Sequence, residues 1–230
     1  MENHLIFICG VYRSASTWSF NVVREYALSR NWSIEQLADN RVSALAPADV
    51  RILKFHHDPN GEALNFLKAG QAKCVVTLRS PKDSIRSMMQ TFGKPFEEAL
   101  QDVKSSFEFA SSVKAYALML NYETITQRSV SSTLRILLHV YGLTALLKSR
   151  SIYQKTNRKA LFREAQQVAN HKGNLDHIED LGFTYYDKRT FLHRRHVNLT
   201  DVKAEQYLSK AQISLIEESF APFSAELGSR

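Results

Sequence analysis

Cysteine is scarce, with 2 in 230 residues. That excludes a disulfide framework and a cysteine-built zinc cluster. Cys9 and Cys74 both lie inside apolar runs, which predicts two buried small hydrophobes on strands. Proline and glycine are also few, 5 and 8, so a collagen-like or linker-rich chain is excluded. No apolar run reaches the roughly 18 residues that a membrane-spanning helix needs. The first residues carry no secretory-signal pattern, and the expectation is a cytoplasmic protein with no membrane partner. Repeats and low-complexity tracts are missing too.

What the chain does have is core-forming material and positive charge. Hydrophobic residues make up 44% and aromatics 10%, which excludes global disorder. The length suits one domain over residues 1–230. Lys and Arg number 30 against 23 Asp and Glu, a formal charge of +7. Such a balance favours an anionic partner: nucleic acid, a membrane surface or a phosphorylated small molecule.

Short apolar runs at 5–9, 50–55, 74–78 and 116–120 read as buried strands. Helical spacing covers 17–28, 62–68, 81–90 and 96–113 between and after them. This alternation predicts an α/β fold with a P-loop-like central parallel sheet flanked by helices. Strand signals fade after residue 125, where 132–141, 144–168 and 209–220 read as helices and 171–203 as irregular. The expectation is an α/β core over 1–125 under a helical and loop cover over 126–230. Ligands of such sheets sit at the carboxyl ends of the strands, so the residues just after each strand carry the chemistry.

The first strand runs into Gly10-Val-Tyr-Arg-Ser-Ala-Ser-Thr-Trp18. Small and hydroxyl residues at a strand-to-helix turn present backbone N–H groups to an anion. The nucleotide P-loop G-x-x-x-x-G-K-[ST] is similar, but Ala15 replaces its second Gly and Ser16 its Lys. The cation sits at Arg13 instead. The third strand ends in Arg79-Ser-Pro-Lys-Asp-Ser-Ile-Arg-Ser87, where Ser80 is a candidate N-cap and Pro81 suits the first helical position. On the second strand, alternation points Lys54 and His56 together at the carboxyl end. His57 faces the other way. Adjacent histidines rarely share an ion, and no carboxylate cluster supports them, so no metal is expected.

Arg-x-Pro-Lys-Asp-x-x-x-Ser at 79–87 resembles the 3′-phosphate signature of the PAPS-dependent, cytosolic-type sulfotransferases; PAPS is 3′-phosphoadenosine 5′-phosphosulfate. The stretch from Tyr12 to Trp18 is similar to that family's 5′-phosphosulfate loop, usually Tyr-Pro-Lys-Ser-Gly-Thr-Thr-Trp. Lys54-Phe-His56 matches its Lys-x-His element, and Leu120-Asn-Tyr-Glu123 its later Tyr-Glu element. The order and spacing agree over about the first 125 residues. The resemblance implies a sulfotransferase that moves a sulfuryl group from PAPS to a hydroxyl or amine of a small-molecule acceptor. It implies that Arg79 and Ser87 hold the 3′-phosphate and that Ser14, Ala15, Ser16 and Thr17 form the loop around the 5′-phosphosulfate. Trp18 and Tyr122 would lie near adenine, and His56 would be the catalytic base, with Lys54 and Arg13 stabilising charge.

Two departures stand out. Arg13 replaces the family's loop Lys, keeping the charge as a planar fork that cannot donate its proton. Ala15 replaces a Gly, so the loop must avoid positive φ there or accept strain. Later in the chain, Lys148, Arg150, Lys155, Arg158, Lys159 and Arg163 precede any acid, as a solvated face or a field for an acidic ligand. The family's late Arg-Lys-Gly loop is missing; Arg194-Arg195 is the expected replacement at the 3′-phosphate, with His171-Lys-Gly173 a rival further upstream. Met88, Met89, Phe92, Tyr185 and Tyr186 are candidate acceptor walls. No stacking or groove-reading motif supports nucleic acid as a partner. Two alternatives remain: a non-catalytic nucleotide- or polyanion-binding module, and another P-loop-like phosphoryl-transfer enzyme.

Overall fold

The computed structural model describes residues 4–39, 41–58, 60–170, 176–180, 185–193 and 207–227. Its centre is a five-stranded parallel sheet in the order β2-β3-β1-β4-β5. The strands are β1 (His4–Gly10), β2 (Ile34–Leu37), β3 (Val50–Phe55), β4 (Lys73–Leu78) and β5 (Ala117–Asn121). In register, Phe7 pairs with Leu53 on one side and Cys74 on the other. Alternation sends Phe7, Cys9, Leu53, Val76 and Leu78 to one face, where they meet Ile85, Met88 and Phe107. Ile6, Ile8, Ile52 and Val75 go to the other face, against Phe20, Val23 and Ile136. Because both faces are covered, β1 reads as an apolar run from Leu5 to Cys9, and β3 and β4 are mostly apolar.

The helices follow the sheet. α1 (Ser16–Ser29), α2 (Glu62–Lys68), α3 (Pro81–Phe92) and α4 (Phe96–Val113) belong to the core half. α5 (Tyr122–Gln127), α6 (Ser129–Tyr141), α7 (Ser149–Thr156), α8 (Arg158–Asn170) and α9 (Lys210–Leu227) follow β5. Ile216 and Phe220 of α9 pack with α3 and α4, whereas Ile152 of α7, which packs on α1, and Leu161 of α8 belong to the core of the other face. Among the described residues no helix is long and apolar enough to cross a membrane.

Four of the five strands lie where the apolar runs predict them. β2 was not expected: it is a half-buried edge strand of four residues, Ile-Glu-Gln-Leu, whose polar centre hides the signal. The helix expected over 144–168 divides. A 3-10 stretch (Leu143–Lys148) leads to α7, and Asn157 adopts an extended conformation between α7 and α8. Its Oδ1 accepts a hydrogen bond from the Ala160 N–H at 3.1 Å, which caps α8. Strands also do not end at β5. β6 (Ile178–Asp180), β7 (Tyr185–Asp187) and β8 (Leu192–His193) form a small antiparallel sheet inside the stretch read as irregular. Runs of two or three residues are too short to carry an alternating pattern. This corner is tied to the main body by Asn21 Nδ2 donating to the Thr190 carbonyl at 2.9 Å and Gln36 Nε2 to that of Lys188 at 2.8 Å.

Candidate active site

The parallel sheet brings the carboxyl ends of β1, β3, β4 and β5 to one edge, above a cavity of about 860 Å³. β1 can pass close to β4 only because position 10 is glycine. A Cβ there would sit 2.2 Å from Thr77 Oγ1 and 2.7 Å from Ser14 Oγ. Those two hydroxyls bond each other at 2.7 Å, and Ser14 Oγ also donates to the Val11 carbonyl. Ser14 is therefore fully buried with its hydroxyl turned into the fold, and it does not line the cavity. Ser16, Thr17 and Trp18 open α1 and do line it, as does Ala15. The loop accepts strain: Arg13 has φ 66° and Ala15 φ 77°, left-handed values that cost an L-residue about 1 kcal/mol each.

The strain aims Arg13 into the site. Its Nε donates to Ser87 Oγ at 3.0 Å, and its guanidinium lies over Phe92, 5.7 Å from the ring centroid. Arg79 donates from Nη1 to the Arg13 carbonyl at 3.2 Å and stacks on Tyr122 at 4.3 Å. So the ends of β1 and β4 meet through Arg13. Burial and the neighbouring Arg79 charge pull the Arg13 pKa down to about 10, which leaves it a cation at neutral pH. α3 begins at Pro81 as expected, yet Ser80 makes no side-chain cap; its carbonyl instead accepts the Ser84 N–H at 3.0 Å.

Lys54 and His56 reach the same cavity from β3. His56 Nδ1 lies 2.6 Å from the Gly10 carbonyl, which can only accept, so Nδ1 carries the proton and Nε2 the lone pair. Tyr12 stacks on the imidazole with centroids 4.0 Å apart, fixing its plane. Burial, then the Lys54 charge, drops the His56 pKa to about 3, partly offset by the Gly10 hydrogen bond. Lys54 falls to about 8, chiefly through burial, with Arg13 adding to the effect.

Of the other candidates, Phe92 lines the cavity, whereas Met88 is core and neither Met89, Tyr185 nor Tyr186 lines it. The basic run splits by position. Lys148 donates to the Ser29 carbonyl and Lys155 pairs with Glu25 at 3.4 Å, while Arg158 and Lys159 open α8 and line the cavity. Arg194, Arg195 and His171-Lys-Gly173 lie outside the described residues. Sequence reasoning missed Arg86, which lines the cavity beside Ser87. Its place within the 79–87 segment was the available signal. Among the described lining residues there are six Lys or Arg side chains (13, 54, 79, 86, 158 and 159) and no carboxylate. Such a site selects an anion of several charges.

No protein-family model and no curated protein matches the chain at the level of sequence. The likeness lies in the fold. Mouse sulfotransferase SULT7A1, solved in complex with PAP, superposes with a TM-score of 0.66 at 16% identity. That match covers 97% of this chain and 86% of the mouse one. Retinol dehydratase with androsterone and the inactive cofactor PAP gives 0.67 at 12% identity, over 100% of this chain and 83% of that one. The same enzyme with retinol and PAP gives 0.65, also at 12% identity, over 100% and 84%. In fold, the chain thus resembles the sulfotransferases.

Proposed function

We propose that the chain is a PAPS-dependent sulfotransferase that sulfates a hydroxyl, or an amine, of a small-molecule acceptor. The observation that carries the reading is the join of three strand ends around one cavity whose described lining holds no carboxylate. Arg13 bonds Ser87, Arg79 bonds the Arg13 backbone, and Lys54 and His56 enter beside them. These are the positions to which the sulfotransferase motifs give roles in binding PAPS or in transfer from it, and they sit in a fold whose solved examples cited above carry PAP.

In this reading Arg79 and Ser87 hold the 3′-phosphate, and the head of α1, with Ser16 and Thr17, receives the 5′-phosphosulfate. Trp18 and Tyr122 border the adenine, and Arg194 and Arg195 complete the 3′-phosphate site. For an alcohol, the acceptor oxygen forms a bond to sulfur as the bond from sulfur to the bridging oxygen breaks. The electron pair leaves on the phosphate of adenosine 3′,5′-bisphosphate (PAP), and the acceptor proton goes to His56 Nε2. Arg13 and Lys54 stabilise the charge that collects on the departing oxygen and the transferring group. The low pKa of His56 keeps Nε2 unprotonated in the ligand-free site. A bound polyanion offsets the Lys54 and Arg13 charges that depress it and raises its basicity when a base is needed.

The test is His56→Ala. Sulfuryl transfer from labelled PAPS is lost, while calorimetric binding of PAP stays within a few-fold of the parent. Transfer at the parental rate would remove His56 as the base. PAP binding without transfer to any of a wide panel of alcohols, phenols and amines would favour a non-catalytic nucleotide-binding module.

A further inference from the structure

Resting on the sulfotransferase reading, we infer that Arg86 is a phosphate ligand that discriminates the nucleotide's ribose phosphate. No family motif marks this position. Arg86 precedes Ser87 on α3 and lines the same cavity. It is 6% exposed, and its hydrogen bonding is incomplete. Nη1 donates to Gln90 Oε1 at 3.1 Å, and Nη2 pairs with the Asp83 carboxylate at 3.6 Å. Nε is buried with no hydrogen-bond partner. Arg79 shows the same feature, a buried Nε without a partner. Thus the two arginines of the 79–87 segment that line the cavity hold unspent donors, and they share that cavity with Ser87, which already accepts from Arg13.

A buried guanidinium with an orphaned donor destabilises a protein unless an anion completes it. A fork of N–H groups fits the paired oxygens of a phosphate dianion. The neighbouring Ser87 and Arg79 identify that dianion as the 3′-phosphate. Arg86 thereby makes the distinction between PAP and AMP sharper than the motif residues alone can.

The test titrates PAP and AMP by calorimetry into the parent, Arg86→Gln and Arg86→Lys, and records the melting temperature of each ligand-free protein. Arg86→Gln should lose about tenfold to a hundredfold in PAP affinity and keep its AMP affinity. Arg86→Lys should recover part of the loss. Ligand-free Arg86→Gln should melt no lower than the parent, because it sheds an incompletely paired buried cation. Unchanged PAP affinity in Arg86→Gln would overturn the inference, as would parallel losses of PAP and AMP with a lowered melting temperature, the mark of a structural role. Failure of the sulfotransferase reading is seen separately, on the unmutated protein: equal parental affinity for PAP and AMP overturns that reading and this inference together.

Discussion

Acidification should unfold this protein partly through His56. The imidazole titrates near pH 3 in the fold against an ordinary value of 6.5. Between those values the unfolded chain binds a proton that the folded one refuses, so stability falls as the pH falls below 6.5. At pH 5 the gap from 6.5 is one and a half pH units, and each is worth about 1.4 kcal/mol, so His56 should cost about 2 kcal/mol. For a domain of this size that is about 4–8 °C in melting temperature. The assay is thermal unfolding by circular dichroism from pH 8 to pH 5, for the parent and for His56→Asn. The parent should lose about 2 kcal/mol more than the variant over that range. Saturating PAP should shrink the difference, because its negative charge offsets Lys54 and Arg13, and its binding at pH 5 should take up a proton. An identical pH slope in parent and variant would refute the argument, since it would mean that His56 protonates freely in the fold.

Other consequences follow from the same contacts. Lys54→Met should stabilise the ligand-free protein at pH 7 by roughly 1–3 kcal/mol, measured by urea unfolding, since burial already drives the Lys54 pKa to about 8. The same variant should lose PAP affinity. In the parent, that affinity should weaken above pH 8 as Lys54 gives up its proton, and calorimetry across pH 7–9 reads the effect. Gly10→Ala should cost about 3–5 kcal/mol, because its Cβ would meet Thr77 Oγ1 at 2.2 Å and disrupt the buried Ser14–Thr77 bond. Gly70→Ala, at φ 68° but with open space around it, should cost only about 1 kcal/mol. Ala15→Gly should relieve the loop at φ 77° and, after the entropy that glycine adds to the unfolded chain, change stability by less than about 1 kcal/mol.

The central sheet was legible because buried parallel strands cannot alternate. Residues 5–9, 50–55 and 74–78 are mostly apolar, the exceptions being Arg51, Lys54 and Thr77, and each lies inside a strand of the fold. β2 was not legible: at a half-buried edge, Glu35 and Gln36 can stay polar. The break between α7 and α8 hid behind continuous helical spacing, because it is set by one residue, Asn157, acting as a cap. At the site, spacing placed Lys54 and His56 on one face of β3, and both line the cavity. Ser14 shows where motif reasoning stops. A hydroxyl in a phosphate loop looks like a ligand, but with β1 passing close to β4 at Gly10 this one bonds Thr77 Oγ1 and donates to the Val11 carbonyl. The bond from Arg13 to Ser87 spans 74 positions and depends on a left-handed backbone at an arginine, which no local pattern announces.

The polar economy of the site also runs against the stability of the ligand-free fold. Lys54 and His56 are held where burial disfavours their charged forms, and Arg79 and Arg86 keep buried donors without partners. Each of these costs is relieved by a polyanion seated among them. If the proposed nucleotide binds there, the protein should be far more stable with it than without, and the gain should track the number of phosphates in the right places rather than the affinity for adenine alone.

The most direct test of the central claim is a calorimetric comparison of PAP, AMP, ADP and ATP at one ionic strength. The account predicts that PAP binds at least tenfold more tightly than AMP, ADP or ATP, because only PAP places a phosphate at Arg79 and Ser87 while another occupies the head of α1. ATP binding as tightly as PAP would contradict it.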